Sequence, residues 1–169
     1  MNIYEGIKTR RSIRKYSDEK VGKEVVTQML EAAMVAPSAM NKQPWEFILF
    51  HDAEKYQRIV DVHPGGKMLL GAAGAVLVCC DMEKVHDPGY MPIDGSAATM
   101  NILLAAHGLG LGACWIGIHP RENRIGLMNE LFNLPDHIHP FALISYGYPG
   151  EEKAVPERFD EKKVHWDEW

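Results

Sequence analysis

At 169 residues the chain has the length of one domain and is long enough to bury a core without disulfide or metal staples. Its 46% hydrophobic and 24% charged content is that of a globular protein, and no apolar run approaches the roughly 20 residues of a membrane-spanning helix. The formal net charge of −5 argues against nonspecific nucleic-acid binding, which needs basic surface to displace counterions, so any bound anion must be held locally.

The opening MNIYEGIKTRRS carries charge early and has no apolar stretch of the signal-peptide kind, which makes a cytoplasmic protein the expectation. Asn2 followed three residues later by Glu5 has the spacing of a capping box, predicting a short helix to about Thr9 with Ile3 and Ile7 one turn apart. Gly22 to Ala36 places Val25, Val26, Met29, Leu30, Ala33 and Met34 at helical spacing, and Pro37 stops it. Residues 38 to 44 then form a loop. Trp45 to His51 and Ala75 to Asp81 read as buried strands, with a helix in DAEKYQRIVDV between them. In Ala75 to Asp81 the adjacent Cys79 and Cys80 make a poor disulfide framework, and with Cys114 they are read as buried thiols.

MEKVHDPGYMP, before Asp94, has room only for a small cover. Asp94 to His107 is a helix apolar on nearly every side, expected at the centre of the core, and Gly108 and Gly110 end it. GLGLG here follows a helix instead of opening one, so it lacks the geometry of a dinucleotide-binding loop. ACWIGIH is the third strand, RENRIGLMNELF a helix launched by Pro120, and Pro140 to Tyr148 the fourth strand. The mixture predicts an α+β fold in one domain, with helices around a mainly antiparallel sheet. The closing PGEEKAVPERFDEKKVHWDEW is charged and Pro-rich yet keeps Phe159, Val164 and Trp166, as a tail that is disordered or docked on another surface, such as a second subunit.

Two stretches carry binding chemistry. KTRRSIRKY concentrates cations near the start of an acidic chain. If residues 10 to 16 are extended, Arg10, Ser12, Arg14 and Tyr16 share a face while Ile13 turns to the core, and Arg10 and Arg14 stand about 13 Å apart. Guanidinium forks suit phosphate or a carbonyl-rich ring edge, although solvated charges beyond a helix end are the plainer alternative. In APSAMNKQPW, Ser38, Asn41 and Gln43 form a polar rim suited to the edge of a neutral heterocycle, or simply to a turn. His137 and His139 have no Cys or carboxylate at ligand spacing and are read, like His107 and His119, as structural. Trp45 and Trp115 are read as core or interface residues.

RRSIRKY, APSAMNKQPWEFILF, AATMNILLAAHGLGLGACWIG and SYGYPGEE...VPERF, in this order along almost the whole chain, resemble the FMN-dependent nitroreductase family in its compact form. The resemblance implies an α+β sandwich and an intimate homodimer with the flavin at its interface, partly embraced by residues 149 to 169. It implies that Arg10, Arg11 and Ser12 contact the phosphate and ribityl chain, and that Arg14 reaches the pyrimidine edge. Ser38, Asn41 and Gln43 would come from the facing subunit. Lys67 falls where the family often carries a basic residue near the ring, with a solvated lysine as the alternative. Ile116 and Gly117 match the backbone segment beside the reactive nitrogen, and Arg158 matches a basic residue returning to the phosphate, a role open also to Lys162 and Lys163. The implied activity is a ping-pong oxidoreductase that takes hydride from NAD(P)H and reduces a nitroaromatic, quinone or related acceptor. The flavin carries the chemistry, so no catalytic side chain and no metal is expected. A noncatalytic flavin-binding or sensing module, a dehalogenase and an enone reductase are the other activities such a cradle allows.

Overall fold

A computed structural model describes residues 2–169. Helix α1 (Ile3–Thr9) starts at the anticipated capping box: Glu5 N donates to Asn2 Oδ1 at 2.9 Å, and Asn2 N to Glu5 Oε2 at 3.3 Å. Helix α2 (Lys23–Met34) buries Val26, Met29 and Ala33. Strand β1 (Trp45–Phe50) and helix α3 (Ala53–Val62) follow, and Asp52 caps α3 through Lys55 N. A 3-10 segment over Pro64–Gly71 leads to β2 (Gly74–Asp81). Beyond it lie α4 (Met91–Gly108), β3 (Gly112–Gly117), α5 (Glu122–Phe132) and β4 (Ile138–Gly147).

The sheet runs β1-β2-β4-β3 and is antiparallel throughout, which bears out the α+β reading. Its two central strands, β2 and β4, are covered on both faces, which is why GAVLVCC reads as continuous rather than alternating hydrophobicity. Val76, Val78 and Cys80 point to the layer formed with α2 and α4, whereas Ala75, Leu77 and Cys79 point to the layer under α3 and α5. All three cysteines are free and buried, and burial pushes the Cys79 and Cys80 thiols up to about 12.

One expectation needs correction, and two apolar surfaces stand open. Helix α4 begins at Met91 rather than Asp94, and it is not enclosed: Ala98, Ile102 and Ala106 are buried, but Ile93 and Met100 lie exposed on its other side. Ile3 and Ile7, one turn apart as read from the sequence, face outward with Tyr4. The tail beyond Gly150 contributes only a 3-10 turn at Glu161–Lys163 and leaves Phe159, Trp166 and Trp169 exposed. Among the described residues no helix is long and apolar enough to cross a membrane.

Candidate functional site

The basic strip leaves α1 at Arg10, whose backbone is extended, and lies along the outer edge of β3. Ser12 bridges Ala113 in parallel, and Ile13 N donates to Ala113 O at 3.1 Å. The edge strand is thereby partly covered by its own chain. Contact is close because Gly112 has no side chain: a Cβ there would stand 2.6 Å from Ile13 Cγ2.

Ile13 therefore turns inward as anticipated, but Tyr16 does not share the face of the arginines. Its hydroxyl donates to Ile13 O at 2.9 Å and accepts from the Ser145 hydroxyl at 2.8 Å, and burial raises its pKa. Tyr16 thus anchors the strip to β4. A second anchor comes from the tail, where Glu151 Oε1 accepts from Arg14 N at 2.6 Å and Lys15 N at 3.3 Å. Lys153 Nζ donates to Ser12 O at 2.7 Å and pairs with the same carboxylate at 3.2 Å. Strip and tail are locked together by residues some 140 positions apart, so nothing local in the sequence pointed to Glu151 or Lys153.

This scaffold divides the strip's cations between two hollows. At one end Lys8, Arg10, Arg11 and Arg158 line a cavity of about 690 Å³ with Phe159 and one carboxylate, Glu157. Burial lowers the Arg10 pKa first, with further lowering from Arg11 and Arg158. At the other end Arg14 and Lys67 face a hollow of about 450 Å³ with Lys153 and Glu151. Among the described residues no carboxylate lies within salt-bridge distance of Arg10, Arg14, Lys67 or Arg158. Arg11 is differently placed: its guanidinium donates to the carbonyls of Lys8 (2.8 Å), Arg10 and Ala154 (3.1 Å), closing the C-terminal turn of α1 onto the tail. Lys162 and Lys163 sit in the exposed turn of the tail, and neither hollow includes them.

The Ser38–Gln43 loop is built as a rigid projection. Met40, Asn41 and Gln43 all have positive φ, near 50°, a conformation that non-glycine residues adopt at a cost. The loop holds it through Gln43 N to Ser38 Oγ at 2.9 Å and Gln43 Nε2 to Asn41 Oδ1 at 3.2 Å. Asp94, 2% exposed on α4, accepts from Ala39 N at 2.9 Å and roots the loop in the core. Asp94 was read only as a helix start, although a lone acid in an apolar run was a signal of such a role. Neither hollow along the strip includes Ser38, Asn41 or Gln43.

Ile116 is buried, its side chain against Gly66, so only its backbone is available to a ligand. The Gly117 carbonyl accepts from Arg124 Nη1 at 2.8 Å. The histidines fall elsewhere. His119 Nδ1 and His139 Nε2 are 3.1 Å apart, and burial, then His119, lowers the His139 pKa. His137 does meet carboxylates, contrary to its sequence neighbourhood: the fold brings Asp81 and Glu83 to it, with one ligand atom from each of the three within 4.8 Å of the others. The Lys84 ammonium already pairs with Asp81 there at 3.1 Å.

The sequence profile of the nitroreductase family matches residues 7–65 and 65–148. The chain is 45% identical over 169 residues, all of this chain and 88% of the relative, to a Methanothermobacter thermautotrophicus protein provisionally named NADH dehydrogenase/NAD(P)H nitroreductase. Among solved structures it is similar to an FMN-dependent nitroreductase of Clostridium difficile, at 36% identity and TM-score 0.89 over 97% of this chain and 98% of that one. It is also similar to a provisionally named nitroreductase of Desulfovibrio desulfuricans solved in complex with FMN, at 30% identity and TM-score 0.87 over 100% and 98% of the two chains. Sequence and fold agree from end to end, and the chain belongs to the nitroreductase family.

Proposed function

We propose that the chain is an FMN-dependent NAD(P)H oxidoreductase that reduces a nitroaromatic, quinone or related acceptor in a ping-pong order, as a homodimer in the cytoplasm. The observation that carries this reading is the two-ended strip: cations outside any salt bridge among the described residues, gathered at Arg10 and Arg158, and again at Arg14 and Lys67. A dianionic phosphate fits the first end, where Arg10 is both desolvated and repelled by Arg158. A carbonyl-rich ring edge fits the second. Similarity to proteins named for FMN and NAD(P)H supports the same assignment.

FMN held by these residues would supply the two-electron chemistry linking NAD(P)H to the acceptor. Arg14 and Lys67 offer positive charge where negative charge collects on the pyrimidine edge during reduction. Ser12 binds the ribityl and phosphate region, and Arg11 acts there by holding Arg10 and the tail in place. Ile116 and Gly117 would offer the ring backbone rather than side chain, since the Ile116 side chain is buried.

Ser38, Asn41 and Gln43 serve the partner's flavin, because their rigid loop stands apart from both hollows of its own chain. Residues 1 to 169 form one FMN-binding domain, with residues 149 to 169 docking on the partner subunit. The apolar surface left open on a single chain supports the dimer: Ile3 (84% exposed), Ile7, Val35, Met40, Ile93, and Trp166 (85% exposed) in the tail. Light scattering with flavin fluorescence across a dilution series checks that dissociation releases flavin. The deciding experiment is an anaerobic visible-spectrum titration of FMN-reconstituted protein with NADH and NADPH, then a quinone or nitroaromatic. Bleaching by the nucleotide and recovery with acceptor is the expected result. Binding without bleaching by either nucleotide refutes the NAD(P)H-dependent reading in favour of a sensing module or another reductant, and no FMN binding overturns the central claim.

A further inference from the structure

We infer that Arg124 is a positioning residue for the flavin ring, setting both the orientation of the Gly117–Ile118 peptide and the positive field at that edge of the ring; this rests on the proposed placement of Ile116 and Gly117 beside the flavin. Gly117 is the last residue of β3, paired with Ala142, and beyond it a single further backbone bond, from His119 N to Phe141 O at 2.9 Å, ties the chain to β4. The end of a ladder is where a carbonyl most needs an outside donor, and Arg124 Nη1 supplies one at 2.8 Å. A hydrogen bond from a guanidinium is stronger than one from a neutral donor, and it fixes the Gly117–Ile118 peptide plane through its carbonyl.

The position of Arg124 on its own helix argues against a merely local role. It is the third residue of α5, in the first turn, where the helix dipole disfavours a cation. Glu122, in the same turn, is the kind of residue that such a position favours. Arg124 instead turns its charge toward Gly117, and His63 at the end of α3 faces the same charge, its pKa lowered first by burial and then by Arg124. The 3-10 segment that follows His63 packs Gly66 on Ile116 and carries Lys67 to the Arg14 hollow. Through Gly66 and Lys67 the same 3-10 segment links Ile116 of β3 to the Arg14 hollow. Of these cations it is Arg124 that is hydrogen-bonded to the β3 backbone, at Gly117.

A residue with this placement changes how easily the bound flavin is reduced. The test equilibrates FMN-loaded wild type, Arg124→Gln and Arg124→Lys with a reference dye at the potential where the wild type is half reduced. The expected result is a reduced-to-oxidised ratio at least threefold lower in Arg124→Gln, with Arg124→Lys between the two because it keeps the charge and loses the planar fork. A wild-type ratio in FMN-loaded Arg124→Gln overturns the inference while leaving the flavin reading intact. If Arg124→Gln does not fold, a wild-type ratio in FMN-loaded Arg124→Met, which also removes the charge, does the same. Failure of the wild type to hold FMN removes both.

Discussion

Gly112→Ala isolates the contact on which the strip depends. The added Cβ would lie 2.6 Å from Ile13 Cγ2, 2.7 Å from Ile13 Cβ and 3.0 Å from Ile13 Cγ1. Carbon atoms sit comfortably at 3.5 to 4.0 Å, so the shortfall is about 1 Å. Because the branch carbon of Ile13 is itself involved, a rotamer change does not relieve it, and the strip must back away from β3. Overpacking of this kind costs about 1 to 3 kcal/mol, and losing the bond from Ile13 N to Ala113 O adds about 1 kcal/mol. Urea denaturation of the apoprotein measures that cost, and quenching of flavin fluorescence measures FMN binding, which we expect to weaken at least tenfold. Gly126→Ala is the control: no atom lies within 4 Å of its Cβ, it sits exposed within α5, and it should stabilise by about 0.5 to 1 kcal/mol with FMN binding unchanged. Wild-type FMN affinity in Gly112→Ala would refute the claim that the seating of Ile13 on β3 holds the cradle in shape.

Three further outcomes follow from the same geometry. Tyr16→Phe removes the hydroxyl that meets Ile13 O and Ser145 Oγ, leaving a buried serine oxygen short of a partner; a loss of about 1 to 3 kcal/mol in denaturant melts is expected, and no loss contradicts the anchoring role. Arg14→Ala weakens FMN retention or slows its reduction more than Lys20→Ala, which removes an exposed charge outside the two hollows, and equal behaviour in both assays removes Arg14 from the site. Stability falls with acid: burial lowers His63, His107 and His139 below 6.5, so around and below that value the unfolded chain binds protons that the native chain does not. Their contribution is complete above the unfolded value and is lost as pH drops through and below it. Melting temperature should decline between about pH 7.5 and 5.5, and a flat profile across that window counts against these assignments.

What was legible in the sequence was what local pattern controls. The capping box of Asn2 and Glu5 and the unbroken apolar run through Cys79 and Cys80 each reflect short-range physics or two-sided burial. Tyr16 was misplaced for a specific reason. Period-two alternation assumes a continuous ladder, and the strip has only isolated bridges, at Ser12 and Tyr16, leaving the backbone between them free to rotate a side chain inward. The sidedness of α4 was hidden because small apolar residues surround it, so only packing against β4 reveals that Ile93 and Met100 are left out. Glu151 and Lys153 resemble solvated tail charges until the tail folds back along the strip, and the meeting of His137 with Asp81 crosses two strands.

The charge distribution accounts for how an acidic chain holds an anion. Arg11 and Arg158 both repel Arg10, and burial removes part of the water that screens it, so on the proposed reading assembling this end costs free energy until a dianion arrives. The fold covers that cost elsewhere: Tyr16, Ile13 and the Glu151–Lys153 pair fix the strip by contacts that involve no guanidinium from Arg10 or Arg14. Binding energy at Arg10 is then available to the ligand rather than consumed in holding the backbone, while Arg14 commits one long bond, from Nη1 to Ser12 O at 3.4 Å. An anion that binds only the native state stabilises it by RT ln(1 + [L]/Kd), so FMN should raise the melting temperature in proportion to the logarithm of its excess. Arg11 differs in kind, since its donors are already committed to Lys8, Arg10 and Ala154 carbonyls, and replacing it should lower the stability of the apoprotein as well as the affinity for FMN. The strip is thus a scaffold and a charge array on the same seven residues, kept separate by which atoms each function uses.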